Sequence, residues 1–155
     1  MIEFIIPRKY RAMIATERLT LAYQKAAEKL GRHAEDTVSL KITDNAGIRK
    51  LNKAYRDMDE ATDVLSFENE FVDLETGSHF IGDIVISIEK AITQAEERGF
   101  NLQEELEMLF VHAVLHLNGF DHLEEAELEE MSGLQDEILQ EIANPIRGSI
   151  NHARD

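Results

Sequence analysis

The sequence has no cysteine, two prolines, no long apolar run and about half as many basic as acidic side chains. Lack of cysteine removes disulfides and thiolate metal sites together, so nothing argues for export and the cytoplasm is the expected compartment. Pro7 and Pro145 stand where elements are expected to stop rather than inside them. Pro7 breaks the apolar stretch at residues 2–6, which is far shorter than the roughly 20 residues of a membrane span. No membrane partner is expected. The shortage of basic charge, 16 Lys and Arg against 31 Asp and Glu for a net −15, argues against a DNA-binding protein.

The charge is nonetheless uneven. Residues 1–56 carry twelve basic and six acidic groups, whereas residues 57–155 carry four and twenty-five. A segment at +6 joined to one at −21 fits a basic binding face on an acidic body. It fits equally well a solvated acidic helix that only aids solubility.

What is present reads as one domain over residues 1–155, since 43% hydrophobic residues without repeats or linkers can bury a core at this length. Strands are expected at residues 2–6, 37–43, 64–67 and 81–88, with the acidic stretch 68–78 as a loop or loose hairpin. Helices are expected at 16–30, stopped by Gly31, and after Asp44 or Asn45, with Ile48, Leu51 and Tyr55 on one apolar stripe. Three more follow at 87–98, 102–117 and 124–142, the second opened by an Asn101–Glu104 capping pair. The fold class is α+β: a small mixed sheet of about four strands packed with about five helices.

The densest chemistry lies in His112-Ala-Val-Leu-His116-Leu-Asn-Gly119-Phe-Asp-His122. Histidines four apart share one helix face and can bind one metal ion together. Asn118-Gly119 tolerates the left-handed conformation that ends a helix, so His122 can swing back as a third ligand. Three imidazoles around one Zn2+ leave a fourth position open, the arrangement of a catalytic zinc rather than a structural one. Metalloproteases with a similar spacing carry a glutamate after the first histidine as general base, and here that residue is Ala113. The remaining histidines, His33, His79 and His152, stand at no ligand spacing.

Two further stretches agree with this run. Leu51-Asn52-Lys53-Ala54-Tyr55-Arg56-Asp57, then Asp59, then Thr62-Asp63-Val64-Leu65-Ser66-Phe67, followed by Gly82-Asp83-Ile84, resemble the YbeY family of bacterial endoribonucleases. The resemblance covers about residues 48–140 and includes Met131. It implies a metal-dependent, single-strand-specific RNase in rRNA processing, including the 3′ end of 16S rRNA, and in ribosome quality control. Its partners would be single-stranded RNA, rRNA and the small ribosomal subunit or its proteins. The resemblance makes His112, His116 and His122 the zinc ligands and Arg56 the functional arginine. The chain departs from the family where Ala113 replaces a glycine, where Asn118-Gly119-Phe120 replaces leucine-glycine-tyrosine, and where Glu68 replaces a proline.

From the residues alone, a salt bridge from Arg56 to Asp57, Asp59 or Asp63 outweighs a phosphate contact through its planar fork of donors, and the resemblance reverses that order. Lys53 is a backbone-phosphate contact or a solvated side chain. No general base stands out. Asp121 reads as a helix cap or a partner for a ligand histidine, Thr62-Asp63 as turn chemistry, and Phe120 as packing. Two other functions compete with the nuclease: a metal-dependent hydrolase of a non-RNA substrate, disfavoured by Ala113, and a non-catalytic, metal-stabilised ribosome-assembly factor.

Overall fold

The structure, a computed structural model, describes residues 1–33, 35–120 and 124–143. Strand β1 (Ile2–Ile5) leads through a short 3-10 helix (Arg8–Met13) into α1 (Thr16–Lys29), then β2 (Thr37–Thr43) and α2 (Asn45–Arg56). A hairpin of β3 (Val64–Val72) and β4 (His79–Ser87) follows, and then α3 (Ile88–Arg98), α4 (Leu102–Leu117) and α5 (Glu125–Ala143). The sheet order is β1-β2-β4-β3, with β1, β2 and β4 parallel and β3 antiparallel to β4. One mixed four-stranded sheet with helices on both faces is the expected α+β class, and β3 is left as an edge strand.

Local chemistry sets most boundaries. The Asp44 carboxylate accepts from Gly47 N–H at 2.7 Å to start α2, and Ser87 Oγ accepts from Lys90 N–H to start α3. At α4 the capping box is complete: Asn101 Oδ1 accepts from Glu104 N–H at 2.8 Å, and Glu104 Oε1 accepts from Asn101 N–H at 3.0 Å. Of the Asn118-Gly119 pair that ends α4, only Gly119 is left-handed, with φ 98°. Asn118 instead closes the helix with its side chain, donating to the Val114 carbonyl at 2.8 Å and accepting from Arg32 at 2.6 Å.

Helix α4 is the centre of the core. Leu106, Phe110 and Val114 meet Leu40, Ile42, Ile84 and Ile86 in one apolar cluster that also takes in α1 and α5. Each such side chain is worth roughly 1.5–3 kcal/mol when fully buried. Helix α2 covers the opposite face of the sheet, where Ile48 joins Leu65 and Val85. At Gly82 a Cβ would lie 2.6 Å from the Phe67 carbonyl oxygen and 2.8 Å from a Leu117 methyl. Only glycine lets the end of α4 approach the β3–β4 pair that closely.

The hairpin runs longer than the sequence pattern indicates. Residues 68–72 continue β3, and Phe71 stacks on Phe80 of β4 at 4.8 Å between ring centroids. Both faces of this arm are solvated, so its residues 68–72 are exposed and show no apolar alternation to read. The reversal is made by Asp73, whose carboxylate accepts from Glu75 N–H, and by Gly77 at φ 72°.

Two buried glutamates on α4 are handled differently. Glu107 accepts from Arg18 Nε at 2.7 Å and Nη2 at 3.0 Å and from Gln103 Nε2 at 2.9 Å, tying α1 to α4. Glu105 is fully buried and its carboxylate makes no hydrogen bond among the described residues; Arg98 Nη1 stands 3.5 Å away. Burial pushes the Glu105 carboxyl above the usual glutamate range, with the Arg98 charge opposing and the Asp63 charge adding. The folded state therefore holds this proton more tightly than the unfolded chain. The stability it contributes is full below the ordinary glutamate pKa and is lost as pH rises through the folded value. Glu105→Gln should raise stability near neutral pH by about 1 kcal/mol, with a gain that shrinks on acidification. Urea melts of both proteins between acidic and neutral pH check this, and a gain independent of pH contradicts it.

Candidate functional site

The last two turns of α4 put His112 and His116 on the one edge of the helix that is not sealed by the core; both are half-buried. Their Nε2 atoms lie 3.0 Å apart, with ring centroids at 4.6 Å and planes at 68°. Nδ1 of His112 is 3.3 Å from Gln135 Oε1 on α5. A ring N–H at Nδ1 can donate to this carbonyl oxygen, and in that tautomer the Nε2 lone pair faces His116. Two imidazoles on a tetrahedral zinc have their nitrogens about 3.3 Å apart, given bonds of about 2.0–2.1 Å. The observed pair fits that requirement. The partial negative charge of the α4 C-terminus beside His116 also favours a cation there.

His122 and Asp121 lie outside the described residues. Among the described residues no three His, Asp or Glu side chains enclose an ion by themselves.

Arg56 reaches the same place from the other side of the sheet edge. Helix α2 ends on it because Asp57 takes a left-handed turn, φ 57°, a conformation that aspartate tolerates better than most residues. The buried Asn52 holds the following loop by donating to the Glu60 carbonyl at 3.0 Å. Arg56 Nη2 donates to the Ser66 carbonyl on β3 at 2.8 Å, and the guanidinium lies 5.6 Å from the centroid of the Phe67 ring. The aspartates nearest in sequence do not neutralise it. Asp59 pairs with Arg49 at 2.8 Å, and Asp63 Oδ1 accepts from Val64 N–H at 2.7 Å. None of the ion pairs among the described residues involves Arg56.

A cavity of about 200 Å³ joins these groups, lined by Arg56, Asp63, Val64, Ser66, His112, Ala113 and His116. The fold thus brings Arg56 to the two described histidines, though 56 positions separate it from His112 in the chain. A larger cavity of about 700 Å³ lies between α4 and α5. Its lining holds Glu104, Glu107 and Asp136, and its one arginine, Arg18, is bound to Glu107, so it suits a polyanion poorly.

Asp63 and Gln135 add to what the sequence offers. Thr62-Asp63 does make the turn that its residue types indicate, and Asp63 also lines the cavity. Gln135 has no local signal, because its meeting with His112 depends on how α5 packs against α4. Lys53 is solvent-exposed, Phe120 packs against the core, and residues 124–130 form an exposed acidic face. Tyr55 departs from its expected place on the buried stripe of α2, for it is 70% exposed.

A family model described as Endoribonuclease YbeY matches residues 7–143. The Endoribonuclease YbeY of Heliobacterium modesticaldum is 44% identical over 123 residues, covering 73% of this chain and 74% of the relative. That of Listeria monocytogenes serotype 4a is 45% identical over 128 residues, covering 75% and 79%. That of Desulfitobacterium hafniense is 39% identical over 145 residues, covering 88% and 90%. Among solved structures, the solution structure of a Thermotoga maritima protein shares the fold with TM-score 0.63 at 24% identity, covering 96% of this chain and 93% of its own.

Because Arg56 is exposed and its described hydrogen bond goes to one backbone carbonyl, Arg56→Ala should change the free energy of unfolding by less than about 1 kcal/mol. Chemical denaturation measures it. A loss of several kcal/mol would make the residue structural.

Proposed function

Since the chain belongs to the Endoribonuclease YbeY family, we propose that residues 1–155 form one metal-dependent nuclease domain that cuts single-stranded RNA. Its place is in rRNA processing, at the 3′ end of 16S rRNA, and in ribosome quality control, with the small ribosomal subunit or its proteins as partners in the cytoplasm. The observation that carries this reading is the shared cavity: Arg56, which enters none of the ion pairs among the described residues, lines it together with two converging imidazoles.

His112, His116 and His122 would hold one zinc ion with a fourth position open. When bound, the ion supplies Lewis acidity, polarising a phosphoryl oxygen and making water a stronger nucleophile. The remaining work belongs to the side chains. Arg56 uses one nitrogen on the Ser66 carbonyl, and this anchors the guanidinium while its other N–H groups stay available to a phosphodiester. They bind the non-bridging oxygens, orient the phosphorus and stabilise the extra negative charge of the transition state. Asp63 is the carboxylate in the described lining, and it takes up the proton released as the nucleophile attacks. The P–O bond to the leaving ribose oxygen breaks, and that proton passes to the departing oxygen. Ala113 keeps the helix surface low between the histidines and leaves no glutamate for peptide hydrolysis. A cavity of about 200 Å³ takes one phosphodiester, which a flexible single strand delivers more readily than a stiff duplex.

The test is cleavage of matched single- and double-stranded RNA by purified protein, its metal content measured in parallel. Exhaustive chelation or His116→Ala should reduce cutting to background, and Arg56→Ala should lower the rate about 10²-fold with the zinc content intact. Asp63→Asn should lower the rate while leaving RNA binding unchanged. Undiminished cleavage by the His116 and Arg56 variants, or after chelation, would show that the activity comes from elsewhere. Cleavage lost while the ribosome-related cellular role persists would favour a non-catalytic assembly factor.

A further inference from the structure

The tyrosine of α2 stands out once the cavity has been assigned. Helix α2 spends its apolar stripe normally as far as Ile48 and Leu51, which lie against Leu65, Val85 and Phe67. Tyr55, one turn later, overhangs the sheet and keeps 70% of its surface in water. It is not loose there, because its ring lies 5.4 Å from the Phe67 ring at 57°. The Arg56 guanidinium covers the same Phe67 ring.

Position along the chain connects this cluster to the cavity. Alternate residues of a strand point to opposite faces, so Ser66 lines the histidine cavity while Phe67 lines a groove on the other side of the sheet. Arg56 and Tyr55, adjacent on α2, divide in the same way. The groove measures about 450 Å³ and also contains Lys41, Asn69 and Asp83. Charge adds a direction: α2 carries Arg49, Lys50, Lys53 and Arg56 and no acidic residue, in a protein of net charge −15. Lys50 and Lys53 are exposed and appear in none of the ion pairs among the described residues. Within the groove's lining, Glu68 on β3 would turn phosphates back toward α2.

We propose that Tyr55, backed by the Phe67 ring that Arg56 also covers, is a stacking platform for a base of single-stranded RNA, seating a nucleotide that follows round the β3 edge from the phosphate held in the histidine cavity. The platform rests on the RNA-cleaving function proposed above and adds a substrate subsite to it. Stacking on an aromatic face tolerates every base, so the platform contributes affinity and register without fixing sequence. It also accounts for single-strand preference, since a paired base cannot offer its face to Tyr55.

Short single-stranded RNAs with 2-aminopurine placed at successive positions test this. Each is bound to the full chain in chelator and recovered intact afterwards. With the unaltered protein, fluorescence should be quenched at one or two neighbouring positions. Tyr55→Phe should retain the quenching. Tyr55→Ala should lose it and bind at least about fivefold more weakly, with the salt dependence unchanged because no phosphate contact is removed. Equal quenching and affinity in Tyr55→Ala would overturn the platform while leaving the RNA-cleaving function standing. Absence of RNA binding by the unaltered protein would remove the function itself, and the platform with it. If RNA binds normally to Tyr55→Ala but a ribosomal protein no longer does, the exposed ring is a protein-docking residue instead.

Discussion

Helix α4 has to be the hydrophobic centre of the molecule and the edge of its site at once. Ten of its residues are buried, and the described ones left over on its outer edge include the two histidines. This double duty governs much else. A helix packed against the sheet, α1, α3 and α5 cannot shift without disturbing the whole core, so the backbone that carries the imidazoles is fixed by packing. Gly82 is required so that the helix end can approach β4, and Asn118 closes its terminus with its own side chain. Gln135 then fixes the ring of His112 from α5.

The second requirement is a cation that stays open to a ligand. Arg49 and Arg32 are paired with the aspartates Asp59 and Asp36, and Arg18 with Glu107. Arg56 differs because it enters none of the ion pairs among the described residues and the group it touches is a neutral carbonyl. An arginine anchored at one nitrogen and open at the others can accept an oxyanion at little cost in side-chain entropy. The acidic body of the protein sharpens the contrast. A chain at −15 repels polyanions over most of its surface, and α2 carries Lys50, Lys53 and Arg56, which appear in none of the ion pairs among the described residues.

Much of this was legible before any coordinates. Helix α4 was readable to the residue, because a capping pair, a continuous apolar face and a glycine stop all point to the same boundaries. The two described histidines share a face, as their spacing requires. A loose hairpin is one of the two readings of residues 68–78, but the reach of its strands is not readable, because Glu68 and Glu70 stand on strand residues that no core covers. Tyr55 misled for a related reason: its spacing matches a buried stripe, yet α2 projects past the sheet that would bury it. Gln135 and the β1-β2-β4-β3 strand order depend on tertiary packing and have no local signature.

The central claim is that the cavity between α2, β3 and α4 acts through one metal ion held on histidines. The most direct test is to strip the protein of metal and add zinc back stepwise, measuring bound zinc and the rate of single-stranded RNA cleavage on the same samples. The account predicts a rate that rises in proportion to bound zinc and levels off at one ion per chain. Full cleavage by the metal-free protein, or one tightly bound zinc per chain with no change in rate, would contradict it.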